Sequence, residues 1–270
     1  MPQTAHILKT NMLNNHNWTH IKENFAQARP FNYAVIDNFF TDDVAQHLVA
    51  EFPEYNGTAW HAHYHNALED KKACNRWDAF PSETYKAFSY LTGSEFTSYM
   101  QQILNDTNLV ADVGLHGGGW HAHTKGGKNN VHLDYSIHPK LDLQRKLNII
   151  IYMSPDWNTG WEGGLELWDH NADINGPGKC ITTVENKFNR AVIFDTTQNS
   201  WHGLPKELNC PKGVVRKSLA VYYVTNPVID ADPRGKALFA PYGNQANDPL
   251  VIELIKKRSD VTNAPGVYKS

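Results

Sequence analysis

The residues with the clearest chemical potential are His132 and Asp134, which lie two positions apart in Val-His-Leu-Asp-Tyr at 131–135. Residues two apart in a β-strand project to the same face, so this spacing aims an imidazole and a carboxylate into one space. One nitrogen and one hard oxygen suit a divalent first-row metal ion and leave room for a third ligand. Taken alone, the pair is explained better as two polar residues on the solvent face of a strand than as a metal site. The prediction of a metal site therefore depends on other motifs in the chain.

The third ligand is predicted to be His202, in Asn-Ser-Trp-His-Gly at 199–203. It is expected in a short strand just before a glycine turn, and strands distant in sequence meet at one end of a double-stranded β-helix. The rival candidates are His123, His138 and His170. They rank lower because none has that setting. Few lone histidines bind metal, and this low prior applies to every candidate.

Two further strands carry groups that suit a small dicarboxylate. Strand alternation places Arg216 and Ser218 on one face, where a guanidinium and a hydroxyl form a site for a carboxylate. Alternation also places Asn148 and Tyr152 on one face of a second apolar strand, where an amide and a phenol could hold the other end of the ligand. A solvated arginine at a strand end and an ordinary core-edge tyrosine are the alternatives.

Composition sets broad limits. The chain has 270 residues, of which 41% are hydrophobic and 20% charged, an ordinary globular composition. Its formal net charge of -3 argues against a broad nucleic-acid surface. Three cysteines without a CxxC spacing fit a reducing compartment better than a disulfide framework, and no segment is typical of a signal peptide or membrane span. We expect a cytoplasmic protein with neither nucleic-acid nor membrane partners.

The order of elements predicts helices followed by a β-rich core. Residues 30–40 read as a strand, 42–52 as a helix capped by Thr41, and 54–81 as loop; residues 1–29 are expected to form a peripheral helix or arm. Helices are also expected at 82–91, at 94–105 with Ser94 as its cap, and at Pro249–Arg258. From about residue 110, short apolar runs alternate with turn residues, which is typical of a β-sandwich or barrel. The predicted strands are 110–114, 118–123, 131–135, 146–153, 164–168, 180–184, 190–195, 200–203 and 216–224.

Together these motifs resemble the signature of Fe(II)/2-oxoglutarate-dependent dioxygenases, and within that superfamily the prolyl-4-hydroxylase-like branch. The resemblance covers residues 110–226 and consists of an ordered set of motifs, each weak alone. In chain order these are His132-x-Asp134, Ile151-Tyr152-Met153-Ser154, the Gly163 to Glu166 turn, Arg190–Phe194, His202 and Arg216-x-Ser218.

The resemblance implies a mainly β fold with a double-stranded β-helix (jelly-roll, cupin-like) core. No internal repeat or low-complexity linker divides the sequence, so we expect one domain over 1–270, with N-terminal helices at 30–109 packed outside the core at 110–226. A C-terminal extension at 227–270 would carry the short last helix.

The resemblance also implies the chemistry. His132, Asp134 and His202 would be the catalytic Fe(II) ligands, and Arg216 would pair with the far carboxylate of 2-oxoglutarate. Tyr152, Ser218 and Asn148 would assist at the cosubstrate. With O2 as second cosubstrate, the enzyme would release succinate and CO2 and hydroxylate an unactivated C–H bond. Retention of Asp134 favours hydroxylation over halogenation, because the related halogenases lose this carboxylate to admit halide. The 14 residues from His202 to Arg216 (216 - 202) exceed the expected spacing, which leaves the shape of that loop open.

Substrate identity stays open between a peptidyl residue, such as proline, and a small metabolite. The glycine-rich segment 115–130 precedes the first ligand, so Trp120, His121 and His123 are candidate substrate contacts, with packing roles almost equally plausible. Two other functions are compatible with the same residues. One is a cupin-like metal-dependent hydrolase or isomerase, which has no need of Arg216 and Tyr152. The other is a non-catalytic jelly-roll module that binds glycans, which has no need of three metal ligands.

Overall fold

The β-branched and aromatic segments of the chain build one antiparallel sheet. The computed structural model describes residues 11–260. The strands are β1 (Tyr33–Ile36), β2 (Ala62–His65), β3 (Glu69–Cys74), β4 (Val110–Ala111), β5 (Gly119–His123), β6 (Lys128–Leu133), β7 (Gln144–Tyr152), β8 (Leu165–Asn171), β9 (Gly176–Val184), β10 (Ala191–Asp195), β11 (Trp201–Leu204), β12 (Arg216–Thr225) and β13 (Leu238–Phe239). The helices are α1 (Trp18–Gln27), α2 (Asp42–Ala50), α3 (Ser82–Thr92), α4 (Ser94–Leu104) and α5 (Pro249–Ser259).

The strand order shows the double-stranded β-helix. Along the sheet the strands follow β1-β10-β7-β12-β5-β3-β6-β11-β8-β9, with β13 beside β6, β2 beside β3 and β4 beside β12. Strands β5 to β12 fall into two rows, β10-β7-β12-β5 and β6-β11-β8-β9, and the chain passes back and forth between them. The predicted mainly β jelly-roll core is therefore confirmed.

The first row of strands is covered by the N-terminal helices. Phe96, Met100 and Ile103 follow helical spacing along α4 and are buried in one cluster with Phe88 of α3 and Tyr223 of β12. The predicted position of the helices outside the sheet is thus confirmed. Gly93 occupies the N-cap of α4, so the predicted Ser94 cap is off by one residue, whereas Thr41 caps α2 as expected, although its side chain makes no capping bond. None of the helices within 11–260 has the length and apolarity needed to cross a bilayer.

The prediction of loop over 54–81 is wrong in its centre. This segment contains the β2–β3 hairpin, and β3 lies between β5 and β6, where it joins the two rows. The sequence of β3, Glu-Asp-Lys-Lys-Ala-Cys, has few strand-forming residues. Its backbone groups find partners on neighbouring strands, and this tertiary pairing overrides local propensity.

Several predicted boundaries also move. Strand β6 covers Lys128–Leu133 rather than 131–135, so Asp134 lies one residue past its end. The strand predicted at 110–114 is only Val110–Ala111, and the predicted C-terminal extension also contains the short strand β13. The helix α1 confirms part of the arm or helix predicted at 1–29, whereas residues 1–10 lie outside the described residues. Residues 261–270 of the predicted C-terminal extension also lie outside them.

A β-bulge interrupts the pairing of β7 with β12. Tyr223 faces Leu147, but the next residue, Val224, faces Arg145, so Lys146 is an extra residue on β7. The extra residue reverses the alternation of side chains beyond it. Arg145 therefore faces the same side of the sheet as Asn148, inside the barrel, and Lys146 points away and binds Asp195 at 2.7 Å.

Gly119 allows β5 and β3 to approach each other closely, which gives a stability prediction. Its φ is +87°, and a Cβ there would overlap the Cys74 carbonyl oxygen and lie 2.8 Å from the Asn75 Cα. We expect Gly119→Ala to lower the free energy of unfolding by about 2–5 kcal/mol, combining left-handed backbone strain with overpacking. Urea unfolding measures this.

Gly126 is the matched control, because its φ is +82° and no heavy atom lies within 4 Å of the added Cβ. Gly126→Ala should cost only the backbone strain, about 1–2 kcal/mol. Equal losses in the two variants would contradict the close approach of β3 to β5.

Candidate active site

Two histidines face each other across neighbouring strands of the second row. His132 of β6 and His202 of β11 are direct partners in the antiparallel register, and their ring centroids are 4.4 Å apart. Asp134 follows β6 and reaches both, with oxygens 3.7 Å from His132 Nε2 and 3.6 Å from His202 Nε2. The strand pairing thus brings together the three residues that the sequence analysis singled out as ligands.

The imidazoles are held in one orientation by the backbone. Nδ1 of His132 lies 2.8 Å from the Asn130 carbonyl oxygen, and Nδ1 of His202 lies 2.8 Å from that of Ser200. A carbonyl oxygen only accepts, so Nδ1 carries the proton in each ring and the Nε2 lone pair is directed towards Asp134. Burial lowers the pKa of His132 to about 3 and also lowers the pKa of His202, so both rings are neutral near pH 7.

The carboxylate is held from two sides. Burial raises the pKa of Asp134, but Arg145 and the two imidazoles outweigh it and bring the pKa to about 2. Arg145 Nη2 lies 3.2 Å from the Asp134 carboxylate, and Arg234 Nη2 donates to the Asp134 backbone oxygen at 3.0 Å. The side chain is ionised and its backbone is anchored, as a metal ligand requires.

These three groups fit a divalent metal ion. One ligand atom from each lies within 4.8 Å of the other two, and no other group of three such residues within 11–260 meets this geometry. Two neutral imidazoles and one carboxylate on one face are the donor set of non-haem iron sites with open coordination positions. Of the rival histidines, His138 lies beside Asp112 at 3.5 Å and His170 accepts from the Trp201 indole at 3.2 Å.

A buried arginine lies in the same cavity. Arg216 is 2% exposed, donates from Nε to the Gly163 carbonyl oxygen at 2.7 Å, and lies 5.1 Å from the ring centre of Tyr152. A Cβ at Gly163 would lie 3.1 Å from the Arg216 side chain, so the turn that the sequence analysis treated as architecture also supports this arginine.

Several buried polar atoms around Arg216 lack partners. The Tyr152 hydroxyl, the Asn148 Oδ1 and both ring nitrogens of His123 have no hydrogen-bond partner within 11–260. His123 sits opposite Arg216 in the β5–β12 register, and Ser218 is buried on the same strand. Unpaired polar groups beside a buried cation are costly in an empty pocket, so the arrangement fits a bound anion with hydrogen-bonding oxygens.

The cavity has a volume of about 340 Å³ and is lined by all three candidate ligands, Arg216, Ser218 and Asn148. Of the predicted substrate contacts, His121 and His123 line it. Trp120 does not. It projects from the opposite face of β5 and packs in the core against Phe80.

Sequence reasoning missed several lining residues. Tyr64, Glu69 and Lys71 come from the β2–β3 hairpin, which pattern analysis read as loop. Arg145 was missed because simple alternation from Asn148 turns it away from the cavity, and only the bulge reverses this. No local signal in the sequence marks that bulge.

Comparison with known proteins agrees with this geometry. Residues 118–224 match the model of the 2OG-Fe(II) oxygenase superfamily. A prolyl hydroxylase from Trichoplax adhaerens, solved with a peptide fragment of a hypoxia-inducible factor, superposes with a TM-score of 0.51 at 16% identity, covering 78% of this chain and 94% of that one. A prolyl 4-hydroxylase from Phytophthora capsici superposes with a TM-score of 0.52 at 18% identity, covering 92% of this chain and 77% of that one. No curated protein matches the chain significantly.

The fold and the matched segment define a dioxygenase that depends on Fe(II) and 2-oxoglutarate. Residues 118–224 carry the match to the 2OG-Fe(II) oxygenase superfamily, and the chain has a fold similar to that of prolyl hydroxylases.

The ligand geometry predicts that metal retention depends on His202. We expect His202→Ala to weaken Mn(II) binding by more than about 100-fold, since losing even outer-shell partners costs 10–100-fold. Electron paramagnetic resonance measures the concentration of free Mn(II), from which the Kd of the metal follows. His65→Ala is the control, because His65 is an exposed imidazole whose partner is Asp70. Undiminished binding in His202→Ala would contradict the assignment.

Proposed function

We propose that this dioxygenase is a hydroxylase in which His132, Asp134 and His202 bind Fe(II) and Arg216 binds the far carboxylate of 2-oxoglutarate. The observation that carries the proposal is the combination of two sites in one cavity. Three preoriented candidate ligands lie on β6, just past its end and on β11, and a buried arginine that has no carboxylate partner within 11–260 lies on β12. A metal site alone would not require the second feature.

The remaining cosubstrate contacts follow from the unpaired atoms. The Tyr152 hydroxyl lies beside Arg216 and can donate to a carboxylate oxygen, and Ser218 can do the same from the next inward position of β12. Asn148 lies deeper on β7 and can turn its amide nitrogen towards the ligand. Charge-assisted bonds to Arg216 then fix both the position and the direction of the dicarboxylate.

Fe(II) with 2-oxoglutarate and O2 supplies the oxidising chemistry of this superfamily, with succinate and CO2 as the other products. The protein's own contribution is geometric. The backbone bonds of His132 and His202 keep both Nε2 lone pairs directed at the metal, and Asp134 supplies the negative charge. The buried walls exclude water from the reacting C–H bond, which limits side reactions.

The substrate would be a peptidyl residue, such as proline, or a small metabolite, with His121 and His123 as contacts. The Trichoplax enzyme was solved with a peptide, which makes a peptide segment one candidate class. The cavity of about 340 Å³, which also has to hold the cosubstrate, favours a small group. We further propose a cytoplasmic location, because all three cysteines are free, two of them buried.

The two other functions have less support. A cupin-like hydrolase or isomerase leaves Arg216 and the unpaired Tyr152 hydroxyl without a role. A glycan-binding module leaves the paired histidines without one. The family match also disfavours both.

The decisive test is an anaerobic titration of Fe(II) and 2-oxoglutarate into the protein, followed by visible absorbance. We expect a metal-to-ligand charge-transfer band in the wild type and none in Asp134→Ala. Metal binding without a band would favour the cupin-like function, and no metal binding would contradict the proposed ligand set.

A second test isolates the cosubstrate site. We expect Arg216→Ala to raise the concentration of 2-oxoglutarate needed for the band by about 10–100-fold, because a charge-assisted bond of 1.5–3 kcal/mol is lost. Mn(II) affinity measured without cosubstrate should stay near the wild-type value.

Lys217→Ala is the matched control for that variant. Lys217 is the neighbouring residue of β12, and its ammonium lies on the other face, 5.3 Å from the Phe52 ring centre. A similar rise in both variants would indicate a general effect on β12 and would contradict the role of Arg216.

A further inference from the structure

A second buried arginine lies in the cavity, and the proposed function gives it no role beyond its contact with Asp134. Arg145 is 3% exposed and lines the cavity, because the bulge at Lys146 turns it inward. Bulges next to active sites often redirect one side chain in this way. Burying a guanidinium is expensive, so its surroundings indicate what it is held for.

Aromatic rings cover the Arg145 guanidinium. Its central carbon lies 3.3 Å from the ring centre of Tyr222 and 4.6 Å from that of Tyr135. The Tyr222 hydroxyl is itself fixed, since it donates to the Gly117 carbonyl oxygen at 2.7 Å. Both contacts are cation–π contacts, which leave the N–H edge of the guanidinium for hydrogen bonds.

That edge is not satisfied by the protein. Nε and Nη2 of Arg145 and the hydroxyl of Tyr135 have no hydrogen-bond partner within 11–260. Nη2 does form an ion pair with Asp134 at 3.2 Å, but without hydrogen-bond geometry. Two donors that lack any partner within 11–260, Arg145 Nε and the Tyr135 hydroxyl, lie beside one positive charge and match the acceptors of a carboxylate.

The charges of the cavity point the same way. Its ionised lining residues are five cations and two anions, namely Lys71, Arg145, Arg216, Lys236, Arg258, Glu69 and Asp134. Glu69 pairs with both Lys71 and Arg258. Asp134 is also a proposed metal ligand, so its single charge is shared between the metal and Arg145. The surplus is positive and favours an anionic ligand.

This ligand is not the proposed cosubstrate. Arg145 and Tyr152 are seven positions apart on β7 (152 - 145), which is roughly 20 Å along a strand. A five-carbon diacid spans only about two extended residues, roughly 7 Å. A cosubstrate held by Arg216 and Tyr152 therefore leaves Arg145 for another molecule.

We propose that Arg145 and the Tyr135 hydroxyl bind a carboxylate of the substrate, so that the enzyme selects carboxylic acids oxidised close to that group. The inference rests on the proposed function and narrows its substrate class. A free amino acid and the C-terminal residue of a peptide both offer this chemistry.

The test uses full-length protein loaded with zinc and 2-oxoglutarate. Zinc is diamagnetic, which suits NMR, and the zinc-loaded protein does not turn over. Saturation-transfer NMR titrations measure the Kd of free L-amino acids and of their carboxamides. The same residues at the C-terminus of short peptides, with free or amidated ends, distinguish the two sources of the carboxylate. We expect at least one acid to bind about 10–100-fold more tightly than its amide.

The variants separate recognition from a structural role. Arg145→Gln should bind acid and amide alike. Tyr135→Phe, which leaves the contact of Arg145 with Asp134 intact, should weaken acid binding by about two- to tenfold and leave amide binding unchanged. Arg29→Gln and Tyr85→Phe alter exposed residues and are the matched controls, expected to behave as wild type. If Arg145→Gln no longer binds zinc, its binding data do not test carboxylate recognition, and the Tyr135→Phe result decides whether the proposal holds.

The proposal is overturned if amides bind as well as acids, if the variants keep the wild-type preference, or if no acid of the panel binds. The charge-transfer band with Fe(II) and 2-oxoglutarate is recorded on the same wild-type preparation. A band without carboxylate preference overturns only this inference, whereas a missing band overturns the proposed function as well.

Discussion

The pairing of β6 with β11 is the constraint on which the candidate site depends. It sets His132 directly opposite His202, two residues that are 70 positions apart in the chain (202 - 132). A shift of one residue in this register would turn one imidazole to the other face of the sheet. The neighbouring strands fix the register, with β3 and β13 against β6 and β8 against β11. The surrounding strands of the sheet therefore fix the positions of the His132 and His202 imidazole rings.

Much of this arrangement was predictable because the jelly roll repeats simple patterns. The apolar runs of β7 and β12 and the helical spacing in α4 are local signals, and they gave the core strands and the outer helices. The clustering of His132, Asp134 and His202 was predictable for another reason. Few residue types bind iron, and the spacing of His132 and Asp134 has a geometric consequence even though Asp134 lies just past the strand. The order of the motifs along the chain then indicated the family resemblance, which no single motif could establish.

The rest depends on contacts between distant segments, which leave little trace in local sequence. Strand β3 is polar and would not form a strand alone, yet it links the two rows and places Lys71 and Glu69 in the cavity. Arg145 illustrates a different limit. Strict alternation excludes it from the interior, and one extra residue in β7 reverses this result. Trp120 shows the converse: its glycine-rich setting suggested a rim, but alternation along β5 places its ring in the core and leaves the cavity to His121 and His123.

The two buried arginines connect these observations. Each lies on one of the paired strands β7 and β12, near opposite ends of that pair, with Asp134 next to Arg145 and His123 opposite Arg216. Each also has neighbours whose polar atoms lack protein partners. Stability alone would favour apolar residues in these places, since buried cations are costly even when they are paired. The presence of both arginines inside the barrel is explained if each binds a separate carboxylate, with the candidate metal ligands between them. The cavity would then orient both molecules by charge before any bond is broken, and the reacting C–H group would be set by its distance from the second carboxylate.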